Sequence, residues 1–166
     1  MTKTEIIYDK AANDRIERIE RKELSKPYYN HLLRYALMET VFGNQHEKGG
    51  IALDLGTGTG VWAEYLSRYF DKVTAYDFSS ECLKKARLNA KSKNILNITY
   101  KKMDLEGYEA KREFDVVTSI SVLQHIQNQE RFLQSCFRST KYQGKFVLLI
   151  HNKNCVYNRS LKSSVF

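Results

Sequence analysis

A chain of 166 residues with 42% hydrophobic and 28% charged side chains is sized for one domain with a sizeable core, and this composition excludes wholesale disorder. Its longest purely aliphatic and aromatic run, "FVLLI" at Phe146 to Ile150, is far too short to span a bilayer, and "MTKTEIIYDKAANDR" at the start lacks the apolar centre of a signal peptide. The formal charge is +8, from 27 basic and 19 acidic residues, and no acidic residue follows Glu130, whereas Arg131, Arg138, Lys141, Lys145, Lys153, Arg159 and Lys162 are all basic. Such an end is either a solvated basic face or a surface for an anionic partner, and the absence of an aromatic-interleaved basic motif favours the solvated face.

Cys82, Cys136 and Cys155 are odd in number and form no CxxC pair, which points to free thiols in a reducing cytoplasm. The four histidines are scattered without metal-ligand spacing, so no metal is expected.

In chain order, the segment from Thr4 to about Gln45 reads as helical, with Ile16, Ile19 and Leu24 near one face. Pro27 interrupts it, and Leu32, Leu33, Ala36, Leu37 and Val41 then recur at helical spacing. "GNQHEKGG" is a turn-rich linker. From Ile51 the pattern alternates: strand "IALDL", helix "VWAEYLSRY", strand "KVTAYD", and helix "ECLKKARLNAKS" capped by Ser79 or Ser80. Strand "ITYKKMD", strand "FDVVTSIS", helix "NQERFLQSCFRST" and strand "GKFVLLI" follow. Strands alternating with helices of about ten residues indicate βαβ units, hence an α/β fold with a doubly wound, mostly parallel sheet and helices on both faces. The chain is accordingly divided into a helical cap (1–48), a core (49–151) and a basic tail (152–166) within one domain.

The first βα turn is Gly56-Thr57-Gly58-Thr59-Gly60. In a doubly wound sheet, ligands bind at the carboxyl ends of the strands beside the first strand, and glycines there let a ligand approach the backbone. A P-loop needs a Lys-Ser/Thr pair after the glycines, and Val61-Trp62 stands there instead. A GxGxxG dinucleotide fingerprint needs glycine at position 61, where Val61 stands. A purely structural turn accounts for one or two of the glycines but hardly for all three.

"LDLGTGTG" closely resembles the first motif of class I S-adenosylmethionine-dependent methyltransferases, an acidic residue followed by alternate glycines, which Asp54, Gly56, Gly58 and Gly60 match position for position. The resemblance extends from about Ile51 to Ile150. It implies a sheet of order 3-2-1-4-5 and S-adenosylmethionine as cofactor, with S-adenosylhomocysteine as product. It also assigns residues. Asp77, at the end of the second strand, would accept from the ribose hydroxyls, and Phe78 would lie against the adenine. Asp104, between Met103 and Leu105, would accept from the adenine amino group, and Ser119 and Ile120 would flank the methionine part. Asp54 would hold the glycine loop, Thr57 included, and lie near the cofactor's amino group. The plain alternatives are a helix cap for Asp77 and a solvated loop for Asp104.

Methyl transfer from a sulfonium is an in-line displacement in which much of the work is alignment and desolvation. His125, on a loop with Gln124 expected to face the substrate, is the candidate general base. Tyr8, Tyr28 and Tyr29 are candidates for closing over the cofactor. "SISV" stands where amino-methylating DNA and glutamine enzymes carry an NPPY-type tetrapeptide, which favours a small-molecule acceptor. Members of this class usually continue past the fifth strand with a helix and a hairpin completing seven strands, and "HNKNCVYNRSLKSSVF" is too short and too polar for those parts. The non-alternating "FVLLI" would then be an apolar edge strand, to be covered by a missing C-terminal segment or by a second copy in a homodimer. The competing readings are an idle cofactor-binding module and an RNA-directed methyltransferase. No membrane partner is expected.

Overall fold

The computed structural model describes residues 26–43, 48–109 and 112–150, with side chains from Leu32 onward. The expected helix before Lys26, Tyr8, Cys155 and the basic tail lie outside the described residues, as do the side chains of Tyr28 and Tyr29. The elements are α1 (Lys26–Phe42), β1 (Ile51–Leu55), α2 (Val61–Leu66), β2 (Lys72–Asp77), α3 (Ser80–Ser92), β3 (Ile98–Lys102), β4 (Phe114–Ile120), α4 (Gln129–Ser139) and β5 (Thr140–Leu149). Short 3₁₀ turns at Leu105–Gly107 and Leu123–His125 follow β3 and β4. The five strands form one sheet in the order β3-β2-β1-β4-β5, as the resemblance implies, with every neighbouring pair parallel, as the alternation of strands and helices implies.

Local chemistry accounts for the element ends. Pro27 lies in the first turn of α1, where its missing N–H is one that no helix would have paired. Ser79 caps α3 by accepting from the Cys82 amide at 3.0 Å, with Glu81 in the first turn and Lys91 in the last, as the helix dipole favours. Asn128 does the same for α4 through the Arg131 amide. The helix expected to reach Tyr69 ends at Leu66, because the next amides turn back three residues: Arg68 N–H donates to Tyr65 O and Tyr69 N–H to Leu66 O. β5 begins at Thr140, directly after α4, and not at Gly144. Its first half is kinked by an irregularity opposite Phe114–Val116, where Gln143 takes a positive φ of 66°. The polar run "TKYQ" has no period-2 signal by which to recognise it as strand.

The core lies on both sides of the sheet. One face holds α1, α2 and α3 through Met38, Phe42, Trp62, Ala63, Leu66 and Leu83, packed on Ala52, Val73, Val116 and Ile120. The other holds α4 and both 3₁₀ turns through Leu105, Tyr108, Phe132 and Cys136, packed on Leu53, Leu55 and Val117. β1 is central, so its Leu53 and Leu55 are fully buried, whereas the apolar end of the edge strand β5 is only half-buried. Val147 and Leu149 meet the first face and Phe146 the second, which explains the lack of alternation in that run. Two residues of the basic end have acidic partners earlier in the chain. Arg131 pairs with Glu109 at 3.0 Å and Lys141 with Asp115 at 2.9 Å, and Asp115 also accepts the Ile51 amide at the entry to β1.

α1 is bound to α2 and the turn after it by aromatic packing. The Phe42 ring, 1% exposed, stands edge-on to Phe70 with centroids 6.0 Å apart and contacts Tyr65 and Tyr69, while Lys145 Nζ of β5 lies over the ring, 5.9 Å from its centroid. Phe42→Ala is expected to destabilise the whole domain by about 3–5 kcal/mol in urea unfolding, with a single transition. A separate early transition would show that α1 is an appendage.

Candidate functional site

The strand order reverses between β1 and β4, and the turn leaving β1 is drawn toward the end of β2. Gly56 N–H and Thr57 N–H both donate to Tyr76 O, at 2.8 and 2.9 Å, and Gly58 N–H donates to Asp77 Oδ2 at 2.7 Å. The other oxygen of Asp77 accepts the Ser79 amide at 2.9 Å. The carboxylate therefore joins the glycine turn to the head of α3, and it is only 6% exposed. This is a more specific placement than a plain cap: Ser79 caps α3, and Asp77 holds both Ser79 and Gly58.

Two of the glycines serve different needs. A Cβ on Gly56 would run into Val122 Cγ2, so glycine is required there because the segment after β4 packs directly on the turn. At Gly58, half-buried between the buried Thr57 and Thr59, φ is +56° and a Cβ would meet no described atom within 4 Å. Gly60 then carries the chain into α2.

Beneath the turn, Asp54 is 1% exposed. Its Oδ1 accepts from Thr118 Oγ1 at 2.7 Å, and its Oδ2 is a buried oxygen with no hydrogen-bond partner. Thr57 Oγ1 and Ser119 Oγ are likewise buried and unpartnered, at the carboxyl ends of β1 and β4. Orphaned polar atoms of this kind are costly in a folded chain, and a polar ligand or water relieves them. Burial pushes the Asp54 carboxyl up to about 6, offset in part by the polar Thr57 hydroxyl, which makes no hydrogen bond to it in this geometry, and by the Thr118 hydroxyl that does, with the Asp77 charge adding to the rise and the Ala63 backbone lowering it.

The remaining sequence candidates are distributed around this turn. Phe78 follows Asp77 and is half-buried. Asp104 is exposed, and its Oδ1 accepts from the Glu106 amide at 3.0 Å, so it caps the 3₁₀ turn after β3. Met103 is half-buried, and its amide donates to Asp77 O at 2.9 Å. Leu105 is 6% exposed and belongs to the core on the α4 side, and Ile120 is equally buried on the opposite face. His125 is exposed in the 3₁₀ turn after β4, where Gln124 Nε2 donates to Ser121 O. Sequence reasoning missed Thr118 and Val122. A threonine inside the apolar run "VVTSI" was the available signal for the first, whereas nothing local marks Val122 as the residue that meets Gly56. Among the described residues, no three potential metal-ligating side chains gather, and no helix is long and apolar enough to cross a membrane.

A family model described as a methyltransferase domain matches residues 53–148. A protein of Xanthomonas oryzae pv. oryzae (strain PXO99A) named ubiquinone biosynthesis O-methyltransferase is 29% identical over 125 residues, covering 74% of this chain and 52% of that protein. Its mitochondrial namesake from Schizosaccharomyces pombe is 35% identical over 98 residues, covering 58% of this chain and 36% of that protein. In fold, the chain resembles a crystal structure from Methanococcus maripaludis described as a putative S-adenosyl-L-methionine-dependent methyltransferase, with a TM-score of 0.67, 21% identity, and 93% of this chain and 69% of the other covered. The chain spans about half the length of the Xanthomonas relative.

The buried Asp54 makes a prediction about the folded state. An aspartate whose folded value is raised holds its proton longer than the unfolded chain does. Between pH 3.8 and about 6 its ionisation therefore removes stability as the pH rises. Asp54→Asn is expected to abolish that decline and to raise stability at pH 7.5 by about 1–3 kcal/mol in urea unfolding. Identical pH–stability slopes in the two proteins would show that the carboxyl ionises without cost.

Proposed function

Because the chain belongs to the methyltransferase-domain family, we propose that it binds S-adenosylmethionine over the turn after β1 and transfers the methyl group to a small-molecule acceptor, with S-adenosylhomocysteine as product. The observation that supports this reading is the Asp77 carboxylate, buried at the end of β2 and bonded to Gly58, where no described atom lies within 4 Å of the position a Cβ would take. A carboxylate so held can accept from the two hydroxyls of a ribose, and Phe78 beside it offers an apolar surface to the adenine. The unpartnered oxygens of Asp54, Thr57 and Ser119 suit the charged amino-acid end of the same molecule. The donor set thus fits the cofactor.

When bound, S-adenosylmethionine supplies an electrophilic methyl group on a sulfonium. The chain's own task is to hold the acceptor in line and keep water away, an orientation effect worth several kcal/mol, to which about 7–11 kcal/mol is the upper range. The names of the relatives support a hydroxyl oxygen as the accepting atom. His125, exposed on the turn after β4, is the residue proposed to take the proton from that hydroxyl. Met103, Asp104 and Leu105 form the adenine end of the site in this reading, with Asp104 presenting its carboxylate from the capped turn. Ser119 and Ile120 form the methionine end. A cytoplasmic location and a covering partner for the β5 edge, either a second copy or further chain, belong to the same proposal; the half-buried Phe146 and Leu149 support the latter. Nucleic acid is not favoured as a partner, because Arg131 and Lys141 of the basic end are paired within the fold.

Calorimetric titration tests the cofactor directly. The chain is expected to bind S-adenosylmethionine and S-adenosylhomocysteine and to show no heat with NAD. Asp77→Ala is expected to weaken binding about 10- to 100-fold, as loss of a charged acceptor for two hydroxyls implies. Binding of NAD in preference to the sulfonium compound would overturn the reading. An Asp77→Ala protein that bound as tightly as the parent would remove Asp77 from the ribose.

A further inference from the structure

The loop that carries Gln124 and His125 is fixed at both ends to the two segments that flank the cofactor in the proposed reading. At its start, Val122 is 9% exposed and packs on Gly56, so closely that no side chain fits between them. At its end, the half-buried Glu106 reaches across from the 3₁₀ turn after β3 and accepts the Gln127 amide at 2.5 Å and, more distantly, the Asn128 amide at 3.4 Å. Asn128 is the cap of α4, so the Glu106 charge lies at the amino end of that helix, where an anion is favoured. Glu106 is in turn held in place by its own amide, which donates to Asp104 Oδ1, and its neighbour Leu105 shares a core cluster with Leu123 and Ile126. The Glu109–Arg131 ion pair crosses the same gap, but both side chains are largely exposed and add little.

We propose that Glu106 is a positioning residue that couples occupancy of the adenine end of the site to the order of the loop 123–128, through its carboxylate bonds to the Gln127 and Asn128 amides. This rests on the cofactor reading above. The physical case is one of geometry. Residues 123–126 hang between two anchors, one on the glycine turn and one on the turn bearing Met103, Asp104 and Leu105. Both anchors belong to segments that the nucleoside and amino-acid parts of the cofactor would immobilise. A ligand that stiffens the two anchors stiffens the loop between them, and this presents Gln124 and His125 to the acceptor only when the methyl donor is in place. Without Glu106, the adenine end loses its hold on the loop while the cofactor's own contacts at Gly58 and Asp77 are untouched. A simple helix cap at α4 would stabilise the loop equally with and without ligand, whereas a coupling residue makes its order depend on ligand.

Hydrogen exchange of the full chain, with and without saturating S-adenosylhomocysteine, separates these cases in the parent, Glu106→Ala and Glu106→Gln. In the parent, ligand is expected to slow exchange at amides 123–128 by about tenfold, together with amides 56–60. In Glu106→Ala the slowing at 56–60 is expected to persist and that at 123–128 to vanish. Glu106→Gln keeps an acceptor oxygen and is expected to restore part of it, which also covers the case in which the alanine variant folds poorly. Equal ligand-induced slowing at 123–128 in Glu106→Ala and parent overturns the coupling. So does a parent in which 56–60 are protected and 123–128 are not, and in that case the cofactor reading stands. No protection anywhere in the parent overturns the cofactor reading and the coupling with it.

Discussion

Three successive backbone amides, those of Gly56, Thr57 and Gly58, turn toward the end of β2 and are satisfied there by Tyr76 O and the Asp77 carboxylate. Everything at the carboxyl edge of the sheet depends on that arrangement. A buried amide without an acceptor costs free energy comparable to a lost hydrogen bond, so the turn can leave β1 in this direction only because β2 ends in an acceptor at the right height. Asp77 supplies it with one oxygen and orders the entry to α3 with the other. The turn is thereby opened over Gly58 and closed beneath Gly56, where Val122 of the segment after β4 packs against it.

The same region holds polarity that does nothing for stability by itself. Asp54 sits in the central strand with one oxygen bonded to Thr118 and the other unmatched, and its raised carboxyl value expresses the free energy lost when it ionises. A core built for stability alone would place an apolar residue there. The cost is confined to the ends of β1 and β4, while the rest of those strands, Leu53, Leu55, Val116 and Val117, is apolar and buried. In the proposed reading, these unmatched polar atoms at the strand-order reversal meet the zwitterionic tail of the cofactor. That reading agrees with the family to which the chain belongs.

Most of the site was legible because its residues are local to strand ends. "LDLGTGTG" announces a turn with close backbone approach, and Asp77 stands at the end of an apolar strand, so both can be placed once the alternation of strands and helices is recognised. Asp104 was legible as a loop acid but not as the cap of a 3₁₀ turn, since that role depends on where the Glu106 amide points. What Thr118 and Val122 touch was not legible, although a threonine in "VVTSI" stands out, because their partners, Asp54 and Gly56, are more than sixty residues away in sequence. The kinked start of β5 escaped notice for a related reason. Only Thr140 of "TKYQ" pairs with β4, opposite Phe114, and the register resumes at Lys145 after the irregularity, so no side-chain pattern marks where the strand begins.

By itself, the sequence determined the alternation of elements, the parallel sheet they imply, the glycine turn and its acidic companions. These rest on side-chain period, capping and backbone freedom, which act over a few residues. Only the tertiary structure decided what those residues do to one another. It made Asp77 a bridge between two elements, raised the Asp54 carboxyl by burying it, and hung the His125 loop between Val122 and Glu106. The reason is physical: desolvation and hydrogen-bond partnership are properties of neighbours in space, and across a parallel sheet the neighbours in space are far apart along the chain.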